Sequence, residues 1–228
     1  NHSIYSKFCS VILTPHFFEK DMGKKHIRFV AYIEQFYLHS KYFSPQEILS
    51  DERYALVRYI SYDASHDHKV KGIPTEEEKR ELVLKLSQQM RVYVSSETKL
   101  DEESSLFEYQ LKILPSEMHS VIANAAVFIG EGATMASEAG VLGVPYYYIN
   151  PLRVGYINHQ QKFYNHASVC SLSTVLEKIN ILNLGRKESI RESIELDTIN
   201  PTELLIYFVK NYPESKKIFL NRIIDNQL

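Results

Sequence analysis

One continuous stretch of the chain constrains its fold more than any other. Residues 126–145 read AVFIGEGATMASEAGVLGVP, so a short apolar run, a turn of small residues, a helix start and a glycine stop follow without a linker. Strand, small-residue turn and helix N-terminus form the geometry that holds a phosphate through backbone N–H groups. The stretch therefore predicts an anionic ligand, and a nucleotide diphosphate fits it best.

Apolar runs and helix-start signals alternate along the middle of the chain. The sequence predicts strands at 54–60, 90–95, 126–130 and 145–149, with helices that begin near 74, 116 and 133. This β-α-β-α-β-α-β order with short links predicts the α/β class, with a doubly wound, Rossmann-like parallel sheet. In such sheets ligands bind beyond the carboxyl ends of the strands.

The flanking regions have weaker signals. Two apolar runs, 11–14 and 27–32, come first, and Ser44 followed by Pro45 predicts a short helix to about residue 50. A helical C-terminal tail is predicted at 175–179, capped by Ser173, and at 201–211 and 215–225. We expect three parts: an inter-domain segment with an initial strand and helix at 1–52, a Rossmann-like domain at 53–172, and the helical tail at 173–228.

Composition excludes several classes of function. The net charge of the 228 residues is −2 and no basic block is present, which argues against nucleic-acid binding. No apolar run approaches the roughly 20 residues that span a bilayer. Two cysteines make neither a disulfide framework nor a metal quartet. We expect a cytoplasmic protein with no transmembrane segment, and the oligomeric state cannot be read from the sequence.

The turn supplies candidate ligand-binding residues. Gly130, Gly132 and Ala133 have little or no side chain, so a phosphate can approach the backbone, and Thr134 can cap the helix or donate its hydroxyl. Glu138 lies on the edge of the inward stripe of the predicted helix, where ribose or sugar hydroxyls would supply the donors that a buried carboxylate needs. The alternatives are a structural carboxylate paired with an arginine, and glycines that serve packing alone.

A polar loop at 61–68 follows the first predicted strand of the sheet. His66 could act as a general acid or base or donate to a diphosphate, and Asp63, Ser65 and Asp67 lie beside it. Two alternatives stay open. The loop could be solvated, with Asp63 or Ser65 capping a turn, or it could bind a metal through its His-Asp-His sequence, although no second cluster at metal-site spacing supports that.

These phrases, in this order, resemble a known family. RYISYDASHD at 58–67 and GEGATMASEAGVLGVP at 130–145 resemble the prokaryotic domain-of-unknown-function family 354, as do ILTP at 12–15, YLH at 37–39 and VSSE at 94–97. The resemblance covers about residues 10 to 170. That family is similar to the UDP-N-acetylglucosamine 2-epimerases and to glycosyltransferases of the GT-B fold, which have two Rossmann-like domains with the active site between them.

The resemblance implies roles for individual residues. The epimerase turn that touches the diphosphate falls on Gly132, Ala133 and Thr134, and the glutamate that holds the ribose falls on Glu138. The epimerases carry a His-Arg pair where this chain has His66 and Asp67, which leaves the reaction undefined.

The resemblance also implies that this chain is the second, nucleotide-sugar-binding domain of such an enzyme. It would need no metal or other cofactor if the helix and a histidine neutralise the diphosphate, and UDP-sugar would be its ligand. The acceptor site would belong to a missing N-terminal domain, so this chain alone is expected to bind without turnover. Two rival functions are a metal-dependent hydrolase that uses Asp63, His66, Asp67 and His68, and a non-catalytic binding or assembly module.

Overall fold

The structure is a computed structural model that describes residues 7–51, 53–61, 73, 75–178 and 187–224. The strands are β1 (Ile12–Pro15), β2 (His26–Phe29), β3 (Tyr54–Tyr59), β4 (Arg91–Ser96), β5 (Val127–Gly130), β6 (Tyr146–Tyr148) and β7 (Ala167–Val169). The helices are α1 (Gln35–Leu38), α2 (Glu76–Ser87), α3 (Met118–Asn124), α4 (Ala133–Val141), α5 (Gly155–Tyr164), α6 (Leu172–Lys178), α7 (Lys187–Asp197), α8 (Pro201–Lys210) and α9 (Glu214–Ile224).

Five strands form one parallel sheet in the order β4-β3-β5-β6-β7. The central strands read as unbroken apolar runs because both of their faces are covered, and every residue of β5 and β6 is buried. The predicted α/β class and doubly wound parallel sheet are confirmed. The sequence missed one further unit at the edge of the sheet, formed by α5 and β7.

Helices cover both faces of the sheet, because each connection between two successive strands of the sheet contains a helix. One face packs against α2 and α6 through residues such as Leu82 and Val175. The other face packs against α3, α4 and α5 through residues such as Val121, Ala139 and Ile157. None of the helices in the described ranges is long and apolar enough to cross a membrane.

The N-terminal strands stand apart from this sheet. β1 and β2 pair in parallel with each other, Ile12 opposite His26, as a separate two-stranded sheet. Helix α9 contacts β2, and helix α8 contacts α1. The C-terminal helices therefore pack back against the first part of the chain.

One predicted helix is wrong. Residues 44–50 are not helical, although Ser44 and Pro45 match a helix-start signal. The backbone of Gln46 is bound instead to α3: its N–H donates to the Ser120 hydroxyl at 3.2 Å, and its carbonyl accepts from the Asn124 amide at 2.8 Å. These tertiary hydrogen bonds hold the segment in a non-helical path.

The tail helices are confirmed with shifted ends. Asn200 caps α8 by accepting from the N–H groups of Thr202 and Glu203 at 3.1 and 3.2 Å. Ser173 lies inside α6 rather than capping it, and the Ser171 hydroxyl accepts from the Thr174 N–H at 3.4 Å instead. Helix α7 was not predicted.

Candidate functional site

The order of the strands defines a switch point between β3 and β5. The chain leaves β3 toward β4 on one side and later returns to place β5 on the other side. Counted within the sheet alone, this is the order 2-1-3-4-5, in which ligands bind outside the carboxyl ends of the strands at the reversal. The segments at that position follow Tyr59 and Gly130, which are the two segments that the sequence singled out.

The turn after β5 leaves the first N–H groups of α4 without intrahelical partners. Gly132 is the N-cap, with an extended backbone and no side-chain cap, and the first helical bond runs from Ala136 N–H to the Gly132 carbonyl at 3.2 Å. The N–H groups of residues 133–135 therefore lie outside the helical ladder. Thr134 is exposed inside the first turn and is not the cap. This end of α4 has the donors and the partial positive charge that attract an anion.

The two glycines of the turn have different reasons to be glycine. A Cβ at Gly130 would come within 2.7 Å of the Phe128 ring, so packing alone excludes a side chain there. A Cβ at Gly132 would meet only the Ile60 methyl at 3.4 Å, an ordinary contact. The fold therefore does not require that position 132 lack a side chain.

Glu131, between the two glycines, is fully buried and ties the two halves of the site together. Its Oε1 accepts from the Ile73 N–H at 2.7 Å and its Oε2 accepts from the Ile60 N–H at 3.4 Å. Its backbone carbonyl accepts from the Asn150 amide at 3.0 Å. One carboxylate thus holds both ends of the segment that follows β3. Sequence reasoning missed this role, and the only available signal was an acid placed between two glycines at a strand end.

Most of the predicted loop after β3 lies outside the described residues, namely Asp63, Ser65, His66, Asp67 and His68. Its first residue, Ser61, donates from its N–H to Glu97 Oε2 at 3.0 Å. The other oxygen of Glu97 accepts from Arg58 at 3.3 Å. The segments that follow β3 and β4 therefore share one edge of the sheet, as the parallel pairing of these two strands requires.

Glu138 is 7% exposed and has partners from two other helices. The Tyr37 hydroxyl donates to Oε1 at 2.9 Å, and His119 Nε2 lies 3.2 Å from the same oxygen. Burial, followed by the charge of Glu138, raises the pKa of Tyr37. The carboxylate is thus held by a tyrosine and a histidine rather than by an arginine, and both recorded contacts use one of its two oxygens.

Tyr156 at the start of α5 was also missed by sequence reasoning. Its phenol lies close to the side chain of Thr134, and burial raises its pKa to about 12. Tyr156 therefore lies next to the open end of α4. An aromatic residue two positions after a valine in a short connection gives no recognisable sequence signal.

Within the described ranges, no group of three or more histidine, cysteine, aspartate or glutamate side chains is arranged to hold a metal ion. The His-Asp-His sequence at 66–68 falls outside those ranges. The described chemistry of the site is therefore that of backbone N–H groups, hydroxyls and buried carboxylates.

No family model matches the chain, and no curated protein matches it. The resemblance to family 354 thus stays a prediction. Solved structures with some similarity include a glycosyltransferase of kitacinnamycin, at 14% identity over 87% of this chain and 54% of that one, with a TM-score of 0.49. A protein described as a UDP-N-acetylglucosamine 2-epimerase from Listeria monocytogenes matches at 13% identity over 90% of this chain and 53% of its own, with a TM-score of 0.46.

A wall teichoic acid polymerase matches at 11% identity over all of this chain and 61% of its own, with a TM-score of 0.49. The chain thus spans between about half and three fifths of the length of these structures. At such identities and TM-scores, these similarities carry no argument about the chain beyond the sheet and the site described above.

Proposed function

We propose that this chain is the nucleotide-sugar-binding half of a GT-B-like enzyme and that it binds the diphosphate of a UDP-sugar at the open N-terminus of α4. The observation that carries the proposal is the position of that uncapped helix end, at the switch point between β3 and β5. The sequence resemblance to family 354 supports the same assignment.

The open end of α4 suits a diphosphate on physical grounds. Three N–H groups in its first turn lack intrahelical partners, and the helix dipole places about half a positive charge there. Gly132 and Ala133 leave the backbone accessible, and the exposed Thr134 hydroxyl adds a donor. This set can hold two phosphate groups without a lysine or a metal.

The remaining assignments follow from the same position of the ligand, with its diphosphate at the N-terminus of α4. Glu138 would accept from the ribose hydroxyls through the oxygen that Tyr37 and His119 leave uncovered, and Gly130 would keep β5 close to the ligand. His66, Asp63, Asp67 and Ser65 would face the phosphates or the sugar. A domain preceding this chain would supply the acceptor site, and the reaction would be either sugar transfer or epimerisation.

Calorimetry of the chain with UDP tests the proposal. We expect binding that Thr134→Val weakens by roughly ten- to a hundredfold, because one hydroxyl donor to a charged group is lost. Thr134→Ser is the matched control, since it keeps the hydroxyl, and it should bind like the unchanged protein. Glu138→Ala should weaken binding further.

Two results would contradict this proposal. One is the absence of heat with UDP, both for this chain and for a longer form that includes a preceding domain. The other is binding that Thr134→Val and Thr134→Ser affect equally.

A further inference from the structure

A cavity of about 550 Å³ lies between the first part of the chain and the start of α5. Three parts of the chain enclose it: β1 with the residues that follow it, the connection from β6 to α5, and the residues just before α1. Apolar and aromatic side chains form most of its lining, among them Phe17, Ile33 and Tyr156. A cavity of this size with a mostly apolar wall suits a small molecule.

Close packing and hydrogen bonds hold the walls of this cavity in place. A Cβ at Gly155 would come within 2.4 Å of the Phe17 carbonyl oxygen, so α5 begins directly against the backbone that follows β1. On the connection from β6 to α5, the Asn150 amide donates to the Glu131 carbonyl at 3.0 Å. The Asn150 Oδ1 accepts from the Leu152 N–H at 2.9 Å. The cavity is therefore formed by the fold itself.

Charged side chains of both signs line this cavity. Lys20, after β1, and Arg153, before α5, contribute from two of the walls, and both residues are exposed. Glu34 contributes from the third wall and is only 6% exposed. Glu19, next to Lys20, also lines the cavity and is exposed. The cavity thus combines one buried carboxylate with two exposed cations.

The buried carboxylate lacks a counter-ion in the structure. Among the described residues, no lysine, arginine or histidine nitrogen lies within 4.0 Å of Glu34, and no carboxylate oxygen lies within 4.0 Å of Lys20 or Arg153. Burial raises the pKa of Glu34 to about 7, and the nearby Glu138 charge acts in the same direction. Because a buried charge is stabilised only by pairing or hydrogen bonding, Glu34 is available to a cationic donor that enters the cavity.

The lining discriminates between classes of ligand. An uncharged ligand would leave the Glu34 carboxylate without a counter-ion, and a simple anion would meet the like charges of Glu34 and Glu138. An ammonium group can pair with Glu34, while a carboxylate or phosphate group can pair with Lys20 and Arg153. The apolar part of the wall favours a ligand whose two charged groups are joined by an apolar body.

We infer that this cavity binds a small amphoteric molecule. Its ammonium group pairs with the Glu34 carboxylate, its anionic group lies near Lys20 and Arg153, and its apolar body packs against rings such as that of Phe17. The inference goes beyond the proposed function and does not rest on it. The ammonium group contributes most of the affinity, because its partner is buried whereas the two cations are exposed to water.

Three related probes separate the contributions of the two charged groups. 4-(Aminomethyl)benzoate has an ammonium and a carboxylate at opposite ends of an apolar ring, 4-methylbenzoate lacks the ammonium, and benzylamine lacks the carboxylate. In NMR titrations of the unchanged protein at pH 8, we expect the first probe to bind with a Kd of roughly 0.1–1 mM. 4-Methylbenzoate should bind at least about tenfold more weakly, because a bond to the charged Glu34 is lost. Benzylamine should lose only about two- to fivefold, because exposed ion pairs contribute little.

Variants assign each charged group of the probe to its partner. Glu34→Gln should weaken both amines by at least about tenfold and leave 4-methylbenzoate unchanged. Arg153→Gln should weaken both carboxylates by about two- to fivefold and leave benzylamine unchanged. Glu19→Gln is the matched control, since Glu19 lines the same cavity but is exposed, and it should change each affinity by less than about twofold.

Three results would overturn this inference. They are equal affinities of 4-methylbenzoate and 4-(aminomethyl)benzoate, the absence of binding by either amine at millimolar concentration, and a Glu34→Gln variant that binds all three probes as the unchanged protein does. Thermal unfolding checks that the variant is folded, and the comparison of the probes with the unchanged protein is decisive even if it is not. None of these results involves UDP, so the proposed function is tested separately.

Discussion

The two ends of α4 both carry glycines, but packing demands them at only one end. At the C-terminal end, a Cβ at Gly140 would overlap the Gln160 side-chain oxygen, and Gly143 has a φ of +77° with the Lys187 carbonyl directly against it. At the N-terminal end, a Cβ at Gly132 would make only an ordinary contact. Where the fold would accept a side chain but the residue is glycine, the glycine indicates a ligand. Where neighbouring atoms leave no room for a side chain, the glycine indicates a role in stability.

The largest expected effect lies at the closed end. Gly143→Ala should lower the free energy of unfolding by about 3–5 kcal/mol, since it combines a left-handed backbone with overlap on Lys187. Chemical denaturation measures the change. Gly23→Ala is the control, because Gly23 has a φ of +81° and no atom within 4 Å of an added Cβ, so it should cost only about 1–2 kcal/mol. Equal costs at the two positions would show that packing around Gly143 is unimportant.

The middle of α4 should give an intermediate effect that depends on pH. Glu34 packs on Ser137 there, and its pKa is raised from 4.5 to about 7. A carboxyl whose folded-state pKa is raised contributes its full stability below the unfolded value, and that stability is lost as the pH rises through 7. Relative to Glu34→Gln, the unchanged protein should therefore lose about 2–3 kcal/mol between pH 4.5 and 8.

Denaturation curves of both proteins across that range test this prediction, since every other titrating group is common to the two. Parallel stability profiles would mean that Glu34 titrates normally in the folded protein. The middle of α4 would then contribute as little to stability as its N-terminal end does, and less than its C-terminal end.

The smallest effect on stability is expected at the open end. Gly132→Ala should cost less than about 1 kcal/mol, because alanine is only a poorer N-cap than glycine and the added methyl group fits. The same variant should weaken UDP binding by roughly tenfold, since the methyl group occupies the space in front of the helix N–H groups. A variant that is destabilised by several kcal/mol, or that binds UDP normally, would remove the distinction between the two ends.

The sequence predicted the parts of the fold that depend on local pattern. The four strands β3 to β6 lie within a residue or two of their predicted positions because each is an apolar run between turn residues. Helix α5 begins with Gly155 and has no side-chain cap, so no start signal marked it, and β7 was lost with it. The helix expected at 44–50 failed because hydrogen bonds to α3, more than 70 residues away, outweighed a local signal.

The site divides in the same way. The turn at 130–134 was predictable because small residues between a strand and a helix are visible in the sequence. The raised pKa of Glu34 and the bond from Tyr37 to Glu138 were not, since both depend on α1 and the residue before it packing against α4 across about 100 residues of chain. The role of Glu131 depends on where both ends of a distant segment return, which no local pattern encodes.

The hydrogen bonds from the Ile60 and Ile73 N–H groups to Glu131 have a consequence for how the sequence of this protein can vary. Both ends of the intervening segment converge on one carboxylate, so each end is fixed relative to the turn before α4. Doubling the length of such a segment costs only about 0.6 kcal/mol in closure entropy. We therefore expect that a longer or chemically different segment between Ser61 and Ile73 would leave the sheet and α4 in register, which would make this position a graft point for new specificity.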